Sequence, residues 1–362
     1  MPHTPPGACS LRLGKMRIKP AADDLLEWVA IRMNLVPLPC ADALFGMTAG
    51  RVLGAAQCLG VFGSLLRAPA SAAALAEELH LQLQGTRLLC ENLAGLRVLE
   101  QDGEKFTLNR RMRKWLDPAS DTYVGTWIEH SASYWEWYGD LERIVRDGGS
   151  FEIHREPAED EEYWRVYITG QYELARLSAA EVAKAVRLGR EPSTLLDVAG
   201  AHGWFSAELC RRHEALNATV VDLPGSARVG RAIIDRAGMS DRVAHREGDM
   251  FSSDLGGPYD GALVFDIIHH LSAEQVVRLL GRVREVLKPG GTVAVLDMFR
   301  SDSRRQRASA ASLGLLFHLT SAADLHSPAE LAQYMRDAGF DAPKRTRIRR
   351  IPDQDLYQAT VA

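Results

Sequence analysis

The pattern of apolar and polar positions divides the 362-residue chain into a mainly helical part and a later part in which short strands alternate with helices. From about residue 40 to 120 the apolar positions follow helical spacing. Ser71 stands ahead of Ala72–Leu79, where its hydroxyl can cap the first turn. A second helix is predicted over Thr86–Leu96, with Leu88, Leu89, Leu93 and Leu96 along one stripe. Two short strand-like runs follow, Arg97–Glu100 and Lys105–Leu108, joined through Asp102-Gly103, a strong hairpin signal. Helix, helix, hairpin is the winged-helix order. The longest apolar stretch, Ala43–Leu66, is broken by Arg51 and several glycines, and predicts a buried helix rather than a membrane span.

Between Tyr123 and Tyr172 the chain is rich in aromatics, including four of its seven tryptophans, Trp127, Trp135, Trp137 and Trp164. Most should serve the core or an interface. A planar substrate would still find its walls most easily here, and Trp127, Trp135 and Trp164 are candidates for that role. Gly148-Gly149-Ser150 predicts a loop, and Ser178-Ala-Ala-Glu181 predicts a capping box opening the next helix.

From Thr194 the period changes. Thr194–Val198, Thr219–Asp222, Ala262–Phe265 and Thr292–Leu296 are short apolar runs. Helical segments separate them, among them Gly225–Ala237 and Ser272–Leu287. This alternation predicts a doubly wound parallel sheet. The expected organisation is a flexible tail over 1–20, a winged-helix domain over 21–122, a helical aromatic-rich region over 123–190 and an α/β Rossmann-like domain over 191–362.

Composition narrows the function classes. With 46% hydrophobic and 25% charged residues and a net charge of −4, the chain reads as globular, with no basic footprint for nucleic acid or an anionic membrane. The would-be recognition helix offers Arg87 beside Glu91, and the hairpin carries Glu100, Asp102 and Glu104, so packing or dimerisation is favoured over DNA reading. The first twenty residues hold prolines and four basic residues but no apolar core of a signal peptide. The five cysteines form no CxxC pair and no metal-ligand spacing, so neither a disulfide framework nor a metal site is expected. A reducing cytoplasm is the expected compartment.

In a doubly wound sheet, ligands sit at the carboxyl ends of the strands. The first strand ends in Asp197-Val-Ala-Gly-Ala-His-Gly203, where Gly200 and Gly203 would let the backbone approach a ligand closely. The second ends in Asp222, whose carboxylate can accept both ribose hydroxyls of a nucleoside. The third ends in Gly248-Asp249-Met250-Phe251, where Asp249 can accept from an exocyclic amine and Met250 can pack on an adenine face. The first turn lacks a full GxGxxG and is a poor seat for a pyrophosphate, which weighs against NAD. The fourth strand runs into Asp266-Ile-Ile-His-His-Leu-Ser-Ala-Glu274. This places His269 and His270 on a strand-to-helix loop at the ligand face, ahead of a Ser272/Gln275 capping box.

From about Ala43 to Phe340 these motifs resemble the class I S-adenosylmethionine-dependent O-methyltransferases of the plant caffeate and bacterial natural-product type. Asp197–Gly203 is similar to that family's DVGGGxG, with Ala199 and Ala201 in place of two glycines. Val221-Asp222-Leu223-Pro224 and Gly248-Asp249-Met250-Phe251 match its DLP and GDMF. The resemblance implies S-adenosylmethionine as cofactor, with ribose contact by Asp222 next to Leu223. It further implies adenine contact by Asp249 and Met250 beside Phe251, and methionine contact near Gly200. It implies a homodimer through the winged-helix domain.

Ile268–Glu274 is similar to the family's LHDWSDE, which puts His269 in the place of the catalytic base and His270 in the place of its Asp. Asp266 and His270 are thereby candidates for the substrate pocket. Asp297 stands where an acid, often Glu, orients the base. The family's second acid falls on Leu325, one step from Asp324. The expected activity is methyl transfer to a hydroxyl of an aromatic or polyketide-like small molecule. Non-methylating chemistry with the same cofactor and a ligand-sensing regulator are the alternatives.

Overall fold

The structure, a computed structural model, describes residues 24–155, 160–300, 308–350 and 354–361. The tail expected over 1–20 lies outside them.

In the N-terminal part, the helices Met47–Cys58, Val61–Arg67, Ala72–Glu78 and Leu83–Gly95 pack with a three-stranded antiparallel sheet. Its strands are β1 (Ala70–Ser71), β2 (Leu99–Asp102) and β3 (Lys105–Leu108), in the order β1-β3-β2. Ser71 Oγ accepts from Ala74 N at 3.2 Å, and the hairpin turns at Gly103 with φ +57°. The core is built from Val61, Phe62, Leu65, Leu75, Leu93 and Phe106.

The apolar stretch over 43–66 departs from expectation, because it is not one buried helix. It winds through a π-turn at Asp42–Gly46 and breaks after Cys58 at Gly60, which takes φ +77°. Only its later half enters the core; Leu44 and Phe45 are exposed. Leu25, Leu26 and Trp28 of the helix Leu25–Arg32 are exposed as well, so several large apolar side chains near the start of the described chain are uncovered in the single chain. Among the described residues no single helix is long and apolar enough to cross a membrane, although Leu38–Cys58 and Val61–Arg67, bent by 65°, pass together on length and composition.

The C-terminal part is a seven-stranded sheet. Its strands are β4 (Thr194–Val198), β5 (Asn217–Asp222), β6 (Val243–Glu247), β7 (Tyr259–Phe265), β8 (Leu287–Met298), β9 (Lys344–Arg347) and β10 (Gln354–Thr360). The order is β6-β5-β4-β7-β8-β10-β9, with the first five strands parallel and β10 antiparallel to both neighbours. Both faces are covered, so the parallel strands are apolar on both sides. Leu196, Val198, Val264 and Val295 pack against Val276, Leu280 and Val283 of the helix Ala273–Glu285. Leu195, Val220, Leu263 and Leu296 pack on the opposite face with Ala179, Val182, Phe205 and Ile234.

The capping box at Ser272/Gln275 forms as the sequence predicts, and another forms at Ser327/Glu330. The one expected at Ser178 does not. Ser178 Oγ turns back to Ala175 O at 3.5 Å, and Glu181 accepts instead from the backbone N–H groups of Arg349 and Arg350. A long-range partner has taken the side chain that the local motif needed.

Candidate active site

Three strand ends meet at one crevice, where the strand order reverses between β4 and β7. Ala199 N donates to Val221 O and Gly248 N donates to Asp222 O, both at 2.8 Å, which ties the loops after β4, β5 and β6 together. Asp222 then collects the crevice around its carboxylate. Oδ2 accepts from Ala201 N and Oδ1 from Leu223 N, each at 2.7 Å. Burial raises the Asp222 carboxyl to about 6, against the pull of those two N–H donors.

Asp197 is buried deeper. Its Oδ2 accepts from Ser206 Oγ at 2.6 Å, while Oδ1 has no partner. Burial first, then the charge of Asp222, raises it to about 7 despite the Ser206 bond. Gly200 leaves open the space in front of this carboxyl, since a Cβ there would stand 2.3 Å from Asp197 Cγ. Gly203 takes φ +64° at the N-terminus of the helix Trp204–Arg212. Ala199 and Ala201 take φ +54° and +44°, so both alanines that replace glycines hold the left-handed backbone that glycine would take without strain.

In the third loop, Asp249 Oδ1 accepts from Phe251 N, Ser252 N and Ser252 Oγ at 2.9–3.0 Å. That turn fixes the carboxylate and leaves Oδ2 as its acceptor. Met250 and Phe251 pack half-buried on the core. An orphaned buried carboxylate oxygen, a cradle that a Cβ would fill and an acid at each of three strand ends fit a cationic nucleoside without phosphates.

The loop after β7 carries His269. After β7, Asp266 takes φ +52° and turns the chain into a short 3-10 segment, Ile268–His270. His269 is 4% exposed, and its Nδ1 lies 2.6 Å from Oδ1 of fully buried Asp297, at the end of β8. Asp297 also accepts from Ile268 N at 3.1 Å and from Met298 N at 2.7 Å. The carboxylate therefore accepts from Nδ1–H and leaves the Nε2 lone pair free to act. The shorter side chain of Asp reaches because the 3-10 turn brings the histidine to it. Phe317 stacks on the ring at a centroid distance of 3.9 Å.

Asp266 accepts from Gln354 Nε2 at 2.6 Å; burial first, and then the charge of Asp297, raise it to about 7. No acid enters at Leu325, which is buried with Ala310 and Phe317. Asp324 faces outward to Arg300 at 2.9 Å. His326 does what the sequence did not announce. Its Nε2–H donates to Ile268 O at 3.0 Å and Leu271 O at 3.1 Å, pinning the loop that carries His269.

The aromatic region is only partly brought to this site. Trp164 is buried beside Ala201 and Leu223, and its indole fills the space over Gly225. Trp127 is half-buried, its backbone N–H donating to Glu173. Trp135 is 48% exposed under the Arg51 guanidinium and does not join the others. His270 hydrogen-bonds through Nδ1 to Ser321 Oγ at 2.6 Å. His154 and Tyr167, bonded to each other at 3.1 Å, reach the same place. His154 carried no signal in the sequence. Among the described residues no group of His, Cys, Asp and Glu is placed to hold a metal ion.

This fold and crevice define an S-adenosylmethionine-dependent methyltransferase. Residues 140–341 match the O-methyltransferase domain and residues 41–117 the O-methyltransferase dimerisation domain; the chain belongs to the O-methyltransferase family. It is 25% identical, over 86% of its length and 92% of the relative's, to 3-hydroxy-5-methyl-1-naphthoate 3-O-methyltransferase of Streptomyces sahachiroi. It is 27% identical to the tetracenomycin polyketide synthesis 8-O-methyl transferase TcmO of Streptomyces glaucescens, over 82% and 89% of the two chains. Its fold superposes on human N-acetylserotonin methyltransferase with a TM-score of 0.81 at 19% identity, covering 95% of this chain and 99% of that one.

Proposed function

We propose that this enzyme transfers the methyl group of S-adenosylmethionine to a hydroxyl of an aromatic or polyketide-like small molecule, with His269 as general base and Asp297 as its positioning residue. The observation that carries the proposal is the 2.6 Å contact between two buried side chains at the crevice, His269 Nδ1 and Asp297 Oδ1. The names of the two Streptomyces relatives support the substrate class.

When bound, the cofactor supplies a methyl on a sulfonium, whose departure needs no acid. The protein's tasks are to remove a proton and to hold geometry. A phenol, with a reference pKa of about 10, loses its proton to His269 Nε2 as its oxygen forms the new O–CH3 bond. Asp297 fixes the tautomer and stabilises the imidazolium that results. Asp222 would hold the ribose hydroxyls, Asp249 with Met250 the adenine, and Asp197 behind Gly200 the cationic methionine end. Leu223 and Phe251 support these loops, and Trp164 backs the first of them.

The molecule in this reading is a homodimer that covers the exposed apolar side chains Leu25, Leu26, Trp28, Leu44 and Phe45, with domains near 21–122, 123–190 and 191–362, working in the cytoplasm. A small molecule is its partner rather than nucleic acid, since Arg87 of the would-be reading helix is tied to Glu91 at 2.7 Å. Incubation with S-adenosylmethionine and a panel of hydroxynaphthalenes tests the activity by product mass. One added methyl on oxygen is expected. A product changed in any other way, or no product across the panel, would overturn it in favour of non-methylating chemistry.

A further inference from the structure

The strand β6 carries a histidine that methyl transfer does not use. His245 stands opposite Val220 of β5, and its Nε2 lies 2.9 Å from the carbonyl oxygen of Ala201, in the loop after β4. Two glycines leave its ring the space. A Cβ on Gly203 would stand 2.9 Å from His245 Cε1, and one on Gly230 would stand 2.3 Å from His245 Nε2. The imidazole is thus wedged between the loop after β4 and the helix Pro224–Arg236. Burial lowers its pKa, so the ring is neutral and carries one proton. That proton is on Nε2, where the carbonyl accepts it, and Nδ1 has no hydrogen-bond partner among the described residues.

Ala201 is thereby held from both sides. Its N–H donates to Asp222 Oδ2 at 2.7 Å, and its carbonyl accepts from His245. Between the two bonds its backbone takes φ +44°, a conformation that glycine adopts freely and alanine only under strain. An alanine released from the brace would relax toward negative φ and turn its N–H away from Asp222. The loop therefore needs a donor at Ala201 O for the reason that it lacks a glycine at position 201.

We propose that His245 is a positioning residue for the cofactor: its bond to Ala201 O holds the strained Ala201 backbone in the left-handed region, which keeps the Ala201 N–H on Asp222 and the Asp222 carboxylate aimed at the ribose hydroxyls. It rests on the reading of Asp222 as the ribose acceptor. His245 acts on cofactor affinity and leaves the transfer step at His269 alone. Because β6 leads into the loop of Asp249, one strand supplies both the adenine contact and the brace for the ribose contact.

Calorimetric titration with S-adenosylhomocysteine, the demethylated cofactor, separates binding from chemistry. His245→Ala is expected to bind it about ten-fold more weakly, the worth of one hydrogen bond, while kcat on a phenol that the enzyme methylates stays within a few-fold at saturating S-adenosylmethionine. Adding Ala201→Gly to His245→Ala is expected to recover most of the lost affinity, because glycine holds the left-handed backbone without the brace. A mere packing defect where the imidazole stood would not be repaired by that change. His245→Gln and His245→Asn both fill the space, but only the Gln amide reaches the place of Nε2–H. Gln is expected to bind near wild type and Asn several-fold more weakly, a comparison that decides the matter even where His245→Ala folds poorly. Asp222→Ala tests the underlying reading separately: unchanged affinity there would sink the ribose assignment, whereas a loss there with none in His245→Ala would sink the role of His245 alone. An affinity of His245→Ala within about two-fold of wild type, no recovery on adding Ala201→Gly, or equal affinities of the Gln and Asn variants would overturn the proposal.

Discussion

Asp297 accepts three hydrogen bonds, and each has a consequence at the scale of the single residue. The bonds from Ile268 N and Met298 N fix the carboxylate, and the third, from His269 Nδ1–H, fixes the tautomer. Asp297→Asn keeps the shape but can donate to Nδ1, which would put the proton on Nε2 and remove the lone pair. We expect kcat to fall by about 10²–10⁴, the usual worth of a positioned base, with cofactor affinity within a few-fold of wild type. Steady-state kinetics and cofactor titration check this.

Ala199 and Ala201 are the residues that the sequence marked as departures, and the structure gives the departure a cost. Both sit at positive φ. Glycine at either position relieves about 1–2 kcal/mol of left-handed strain and loses about 0.5–1 kcal/mol to backbone entropy. Ala199→Gly and Ala201→Gly should each raise the thermal midpoint slightly, and a fall at both would contradict the strain. Asp197, Asp222, Asp249 and His269 were legible as residues at or just past strand ends because the apolar runs show where the strands stop. His154 was not. It reaches the site because Phe151 N and Ile153 N donate to Leu319 O and Thr320 O, carbonyls more than 160 residues away. No local pattern encodes that return.

At the scale of elements, the helix Pro224–Arg236 holds the crevice through two glycines. A Cβ on Gly225 would stand 2.3 Å from Trp164 Cδ1, and one on Gly230 would stand 2.2 Å from Ala201 O. Glycine to alanine inside a helix ordinarily gains up to about 1 kcal/mol. Here the sign reverses. Gly230→Ala meets backbone and should cost about 1–3 kcal/mol, and it should weaken cofactor binding by displacing Ala201 N from Asp222. Thermal melts with and without cofactor measure both effects.

Elements with strong periodicity or local caps were readable: β4, the hairpin β2–β3, and the helices capped by Ser71 and Ser272. The failures share a cause. At Ser178 and over 43–66, tertiary demands overrode the local signal: Glu181 was claimed by the C-terminal segment, and the first apolar turns were left on the surface.

For the whole molecule, two sets of buried groups pull its pH dependence in opposite directions. Asp197, Asp222 and Asp266 are raised to about 7, 6 and 7. Each binds its proton more tightly folded than unfolded, so their stabilisation is complete below the unfolded carboxyl range near 4 and is lost as pH rises toward 7. Burial lowers His130 and His154 to about 4, His202 to about 3, and His270 well below its ordinary value. Their stabilisation is complete above the unfolded value of about 6.5 and is lost as pH falls through the folded values. Near pH 5 these four histidines hold protons in the unfolded chain that they lack in the folded one, against three carboxyl protons held only in the folded one. The balance favours stability rising modestly from pH 5 to pH 6, where the first carboxyl begins to release its own. A thermal midpoint of the cofactor-free protein that falls steadily across that interval would show that the carboxyls dominate.

The account depends most on the base. Single-turnover methyl transfer at saturating cofactor, comparing wild type with His269→Gln on a phenol that the wild-type enzyme methylates, tests it directly. The account predicts a rate lower by about 10²–10⁴ in the variant, with cofactor affinity retained. A variant rate within a few-fold of wild type, which corresponds to less than about 1.4 kcal/mol of barrier, would contradict it.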